Sequence, residues 1–170
     1  YAVTEMISAH SMVNHERLRK RYLARSDNEG RWCIQLSGNN PEVMYQATEI
    51  SAGYQPDLID LNCGCPKLKI RTKGCGSALM ESPNVLQSVV RAMRQATTRP
   101  LTVKMRVAGH TQDTRYLEAA SMIEQAGADA IIVHGRHYTE DYDVAAHYEQ
   151  IRNVVRRVSI PVIANGDVYD

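Results

Sequence analysis

An alternation constrains this 170-residue chain more than any other feature: six short β-rich runs, near 3–6, 33–36, 58–61, 101–105, 130–133 and 161–164, are separated by longer segments of helical period. That pattern is the signature of strand-crossover-strand units and a parallel sheet. The nearly unbroken apolar character of the runs suits strands covered on both faces. Between them, Asn40-Pro41 and Ser82-Pro83 each set an N-cap side chain before a proline whose missing N–H costs nothing in a first helical turn. After Pro83, the residues Val85, Leu86, Val89, Val90 and Met93 fall on one face. Tyr148, Ile151, Val154, Val155 and Val158 make a second stripe, and a helix over 114–126 is ended by Gly127. At this length, with 44% hydrophobic residues, the chain supports one domain with a real core.

Six alternating strands belong either to a doubly wound sheet or to part of an eight-fold barrel. No G-x-G-x-x-G string follows any predicted strand, which favours α/β of the second kind, an incomplete (β/α)8 TIM barrel. Polar residues gather just after the strand ends: Gln35, Asn62, Lys104, Arg106, His134, Asn165 and Asp167. In a barrel those carboxyl ends converge on one face, so residues distant in sequence become neighbours.

Charge decides little by itself, since 20 Lys and Arg against 19 Asp and Glu give +1. Affinity for a polyanion must come from a local patch. The stretch 67–73, read as a loop, carries Lys67, Lys69, Arg71 and Lys73 and is equally a solvated loop or such a patch. The basic run 17–21 reads as the exposed face of a surface helix. Apolar runs reach only four or five residues, too few to cross a bilayer, so no membrane association is expected. Cysteines at 33, 63, 65 and 75 show no loop-stapling pattern, which fits a reducing cytoplasm. Nothing in the sequence calls for a stable protein partner.

The most informative stretch is Ile59-Asp60-Leu61-Asn62-Cys63-Gly64-Cys65-Pro66, followed downstream by Gly76-Ser77. Pro66 biases Cys65 toward extended backbone and Gly64 permits a tight turn, so a thiol is presented from a rigid corner at a strand end. The same cysteine read structurally is a buried core residue, or a metal ligand with Cys63 and Cys75. No fourth ligand follows at a usual zinc spacing, and no metal is expected.

Four motifs, Asn62-x-Gly64-Cys65-Pro66, Lys104-x-Arg106, His134-Gly135-Arg136 and Asn165-Gly166-Asp167, occur in this order with βα units between them. Together they resemble the tRNA-dihydrouridine synthase family, and the resemblance covers essentially the whole chain. It implies a barrel that binds FMN, takes electrons from NADPH and reduces the C5=C6 bond of uridines in tRNA. By the same resemblance Cys65 is the acid that protonates uracil C5, a task suited to a thiol that is mostly protonated near neutral pH. Gln35, Lys104 and His134 would face the flavin, and Asn165, Gly166 and Asp167 would form its turn after the seventh strand. Asn62 and Arg106 are the candidates for orienting the base or a phosphate, through an amide and a guanidinium respectively.

Counted against that family's barrel, residues 1–170 would run from about the second strand to the seventh. The chain opens on Tyr1 and stops at Asp170. The first strand, the eighth strand and a C-terminal tRNA-gripping helical domain would then lie outside it. Such a piece alone is expected to bind FMN weakly or not at all and to lack useful turnover. Two other functions stay open on the residues: an FMN barrel acting on free pyrimidines, of the dihydroorotate or dihydropyrimidine dehydrogenase type, and a non-catalytic RNA-binding fragment. Against the latter stand the near-neutral charge and the scarcity of interleaved aromatics, with no Phe and one Trp.

Overall fold

A period of two along each strand decides the architecture. In the computed structural model, which describes residues 2–25, 30–109 and 112–168, the chain runs β1 (Ala2–Val3), β2 (Ile7–Ser8), α1 (Ala9–Asn14), α2 (Glu16–Tyr22), β3 (Trp32–Ser37), α3 (Pro41–Gly53) and β4 (Leu58–Cys63). It continues with α4 (Leu68–Arg71), a 3₁₀ turn (Gly76–Glu81), α5 (Pro83–Ala96), β5 (Leu101–Arg106), α6 (Arg115–Gln125), β6 (Ala130–His134), α7 (Tyr148–Arg157) and β7 (Val162–Asn165). All pairings are parallel, β3 to β7 follow one another in sequence order, and the sheet curls into a half-barrel. The expected incomplete TIM barrel is therefore what forms. Tyr1 and Asp170 lie outside the described residues.

Each strand divides its side chains between two environments. Ile34, Leu36, Ile59, Leu61, Leu101, Val103, Met105, Ile131 and Val133 point outward and are fully buried beneath the helices. Their neighbours point into the barrel, where Gln35 stands opposite Asp60, Asp60 opposite Thr102, Asn62 opposite Lys104, and Arg106 opposite His134. The strands are thus apolar on the helix side and largely polar within, unlike the doubly apolar strands expected from sequence. A fully closed apolar barrel would exclude ligand; this lining does not.

The first strand departs from expectation. Instead of one run over 3–6, β1 and β2 pair separately with β3, Ala2 opposite Trp32 and Ile7 opposite Leu36. The first strand therefore holds one residue more than β3 between those pairs, which is a β-bulge. The Thr4 hydroxyl oxygen accepts the Gln35 N–H at 3.1 Å where a strand carbonyl would otherwise serve. The bulge brings Met6 to the barrel mouth.

Helix signals were partly right. Asn40 caps α3, its Oδ1 accepting from Val43 N at 3.1 Å. Ser82 precedes α5 without a side-chain cap bond, because it leaves the 3₁₀ turn at φ −127°, ψ 72° with its own N–H held by Leu79 O. On α5, Leu86, Val89, Val90 and Met93 are fully buried while Val85 faces out. On α7, Ile151 and Val154 are buried, but Tyr148 and Val155 are exposed. The stretch 67–73 is not a plain loop: Ile70 N and Arg71 N both donate to Lys67 O, making the single turn of α4 directly after Pro66.

Candidate functional site

The corner after β4 is built by its own strand. Asn62 Oδ1 accepts from Gly64 N at 3.2 Å and Cys65 N at 2.9 Å, folding the chain back over its last strand residue. Two more elements hold it. Ser77 donates from both N and Oγ to Cys65 O, each at 3.0 Å, and Arg106 Nε donates to Gly64 O at 2.7 Å. Arg71 Nη1 in turn donates to Ser77 Oγ at 2.8 Å, while its guanidinium lies 3.5 Å over the Tyr138 ring.

The glycine that the corner needs is not Gly64. A Cβ there would make only ordinary contacts, 3.6 Å to Lys104 O being the nearest. Gly76 has φ +62°, and a Cβ on it would stand 2.7 Å from Cys65 O and 3.0 Å from Cys65 Cβ. Close approach of the 3₁₀ turn to the thiol-bearing residue is possible only with no side chain at 76.

Held this way, Cys65 lines a cavity of about 390 Å³ at the carboxyl ends of the strands. Asn62, Lys104, Arg106, His134 and Asn165 line the same cavity. Deeper in the barrel a space of about 290 Å³ is bounded by Gln35, Asp60, Lys104 and Asn165 with Ile132 and Ile163. Six of the nine residues singled out from sequence therefore share one mouth, and Gln35 sits beneath it. Gly166, at φ +102°, underlies His134, whose ring would stand 2.8 Å from a Cβ added there. Asp167 has a different occupation: both carboxylate oxygens accept from Arg136 Nη2, at 2.6 and 2.7 Å, and Oδ2 also accepts from Ala146 N at 2.8 Å. Those bonds hold its carboxyl below the ordinary range, the Arg136 bond contributing most.

Other candidates are also engaged within the chain. Asn62 Nδ2 donates to Gln35 Oε1 and Gln35 Nε2 donates to Asp60 Oδ2, both at 2.8 Å, while Thr102 Oγ1 donates to Asp60 Oδ1 at 2.5 Å. Arg106 Nη1 donates to Arg136 O at 3.3 Å and His137 O at 3.2 Å, leaving Nη2 for a ligand. Lys104 Nζ donates to Asn165 Oδ1 at 2.8 Å across the mouth.

Burial governs the charges. It lowers the pKa of Lys104, against the pull of Asp60. It likewise lowers that of Arg106, which the Tyr142 phenol and the Cys65 thiol pull back up. His134 is pushed down to about 4, by burial first and then by Arg106, Lys104 and Arg136, so its ring is neutral at neutral pH. Asp60 moves the other way, raised to about 6 by burial despite the bonds from Thr102 and Gln35. The mouth thus carries two part-buried cations and a neutral imidazole beside a thiol.

Sequence reasoning missed Asp60, Arg136 and Tyr142. Asp60 lay in view as the lone charge inside an apolar run. Arg136 was quoted within its motif without a role, yet it is 3% exposed and ties β7's turn to the loop before α7. Tyr142, in an unpatterned loop, gave no signal. Cys63 lies in the hydrophobic core while Cys65 faces the mouth, so the two thiols do not form a chelate. Among the described residues no cluster of three or more His, Cys, Asp or Glu is placed to hold a metal, and no helix is long and apolar enough to cross a membrane.

Comparison with known proteins gives the family. The sequence model of the family described as dihydrouridine synthase matches residues 1–170. The tRNA-dihydrouridine synthase B of Pasteurella multocida (strain Pm70) is 34% identical over 165 residues, covering 97% of this chain and 50% of that protein. Its namesake in Yersinia pestis is 34% identical over 169 residues, 99% of this chain and 53% of that protein. That of Vibrio vulnificus (strain CMCP6) is 33% identical over 167 residues, 98% and 52% respectively. The chain spans about half the length of the curated relatives it matches.

Proposed function

Since this chain belongs to the dihydrouridine synthase family, we propose that the protein carrying it is a tRNA-dihydrouridine synthase, an oxidoreductase that uses FMN and NADPH to reduce the C5=C6 bond of a uridine in tRNA. One observation carries the reading: Cys65 lines the same cavity as Lys104 and His134. In this reading residues 1–170 are the second to seventh strands of a catalytic barrel, completed by a first and an eighth strand and followed by a helical domain that grips tRNA. The enzyme works in the cytoplasm on its tRNA substrate.

The barrel interior suits a flavin. Ile132 and Ile163 offer apolar contact to a planar ring, and Gln35, Lys104 and Asn165 offer polar groups to its edge. Lys104, desolvated yet cationic, would stabilise negative charge on a reduced ring, and neutral His134 would hydrogen-bond without adding charge. Gly166 keeps the backbone close beneath His134, and Asp167 shapes the turn through Arg136. The residues that would hold FMN are Gln35, Lys104, His134, Asn165 and Gly166, and the flavin, with NADPH as electron donor, would supply hydride chemistry at uracil C6.

The chain's own residues do the rest. The target base, extruded from its stack, enters the mouth. Asn62, with one amide N–H left, and Arg106, with Nη2 left, orient the base or its phosphate. Negative charge develops at C5 and O4, and Cys65 Sγ–H gives its proton to C5: the S–H bond breaks, a C5–H bond forms, and the thiolate is reprotonated by solvent. Arg106 lines the same cavity as Cys65 and would offset the charge of that thiolate.

In the full-length protein, Cys65→Ala and Cys65→Ser are expected to slow dihydrouridine formation in tRNA about 10²- to 10⁴-fold with flavin absorbance retained. Undiminished turnover removes Cys65 from this role. Reduction of free uracil in place of tRNA would move the enzyme to the free-pyrimidine class.

A further inference from the structure

We propose that the buried Asp60 carboxylate sets the strength of the bound flavin as a hydride donor, its charge offsetting that of Lys104 in the cavity the two share; the inference rests on the flavin reading argued above. Asp60 stands on the floor of the barrel, 1% exposed, and lines the space of about 290 Å³ with Gln35, Lys104, Asn165, Ile132 and Ile163. Among the described residues lining that space it is the one carboxylate and Lys104 the one cation.

The charge answers no demand of packing. Oδ2 accepts from Gln35 Nε2 at 2.8 Å and Oδ1 from Thr102 Oγ1 at 2.5 Å, and both donors are neutral. Among the described residues no cation forms an ion pair with it, and Lys104 turns its Nζ to Asn165 Oδ1 instead. An amide at position 60 would serve the same two neighbours, its carbonyl accepting from Gln35 and its N–H donating to the Thr102 hydroxyl. A buried carboxylate with no cation in contact destabilises a fold. A charge set here therefore points to the reaction.

Lys104 by itself would stabilise the reduced ring and so weaken it as a donor. A fixed negative charge in the low-dielectric interior opposes further negative charge beside it, and little solvent screens the effect. The same carboxylate pulls the Lys104 pKa up against burial, which keeps the amine cationic. Burial raises Asp60 itself to about 6, so it is ionised at neutral pH. Cys33 on β3 and Cys63 on β4 also face it, but burial and this charge push both thiols up and leave them neutral. From β6 and β7 the lining presents Ile132, Ile163 and Asn165, which do not titrate.

The test measures the flavin midpoint potential of the full-length holoenzyme at pH 8 and pH 6. At pH 8 Asp60→Asn should raise the potential by about 30 mV, tenfold in the equilibrium constant for two-electron reduction, and the gap to wild type should narrow at pH 6. On rapid mixing, reoxidation of the NADPH-reduced variant by tRNA should slow about 3- to 10-fold, while its reduction by NADPH is not slowed. Thr102→Val removes a hydrogen bond that favours the ionised form and keeps the carboxylate. Its potential should match wild type at pH 8 and rise above it at pH 6. A flavin-loaded Asp60→Asn with an unchanged or lower potential at pH 8, or a Thr102→Val shift of equal size at both pH values, overturns the charge effect alone. A full-length wild type that holds no flavin overturns the flavin reading and this inference with it.

Discussion

At the scale of single residues, Asp60 shows how the half-barrel orders its mouth. Its carboxylate can only accept, so Gln35 must turn Nε2 toward it and Oε1 toward Asn62 Nδ2, which leaves Asn62 Oδ1 to receive the N–H of Cys65. A charge on the barrel floor therefore fixes amide orientations up to the thiol-bearing corner. With its pKa raised from 3.8 to about 6, folded Asp60 binds a proton more tightly than unfolded Asp60, so its contribution to stability is lost as pH rises through about 6. Asp60→Asn keeps an acceptor for Gln35 and does not titrate. Relative to wild type it should match near pH 4 and gain about 1 to 3 kcal/mol by pH 7, read from urea unfolding at both values. A gap of equal size at both pH values would count against this. His134, pushed down to about 4, has the opposite sense, since its stability contribution is lost as pH falls from about 6.5. The two overlap in wild type, and only the difference between variants isolates either. The mouth-lining residues were legible because each is polar at a strand end. Asp60 was not, because its partners Gln35 and Thr102 lie 25 and 42 residues away and meet it only through strand register.

Among elements, the corner after β4 depends on a turn that comes later in the chain. The Gly-Cys-Pro string drew attention to Gly64, but the steric demand falls on Gly76, where a left-handed backbone and a 2.7 Å approach to Cys65 O coincide. Gly76→Ala should destabilise the protein by about 1 to 3 kcal/mol and displace Cys65, lowering turnover as well. Gly64→Ala should change stability by less than about 1 kcal/mol. Equilibrium unfolding of the two variants side by side tests the contrast, and equal losses would reject it. The same difference between local and tertiary information separates the other successes from the failures. Strands β3 to β7 appeared near their expected positions because their outward residues are apolar and their ends polar. The bulge before β3 went unseen because it arises from pairing and from the Thr4 side chain. Ser82 carried a cap signal that its exit angle from the 3₁₀ turn overrides.

For the whole molecule, a net charge of +1 means that any attraction to tRNA depends on where charges sit. Of the four cations in 67–73, Arg71 is committed to Ser77, Glu81 and Tyr138, while Lys67, Lys69 and Lys73 are exposed and Lys67 lines the mouth. In α2 the comparable run is partly engaged, with Lys20 on Glu16 and Arg19 on Met12 O. Replacing Lys67, Lys69 and Lys73 by alanine in the full-length protein should reduce the slope of log affinity for tRNA against log salt by about 2 to 3, and an unchanged slope would leave the three as solvated lysines. The half-barrel raises a separate question for residues 1–170 taken alone. Ile163 on β7 and Val3 on β1 are exposed, at opposite ends of the strand order, and the inner row of Gln35, Asp60 and Lys104 lies open beside them. Unpaired parallel edges with exposed apolar side chains recruit further strands, and an open lining encloses a flavin on one side only. The isolated 170 residues should therefore associate in a concentration-dependent way on size exclusion and emerge without flavin absorbance, whereas the full-length protein should be yellow. A yellow, monomeric and active 170-residue protein would show that the half-barrel needs no complement.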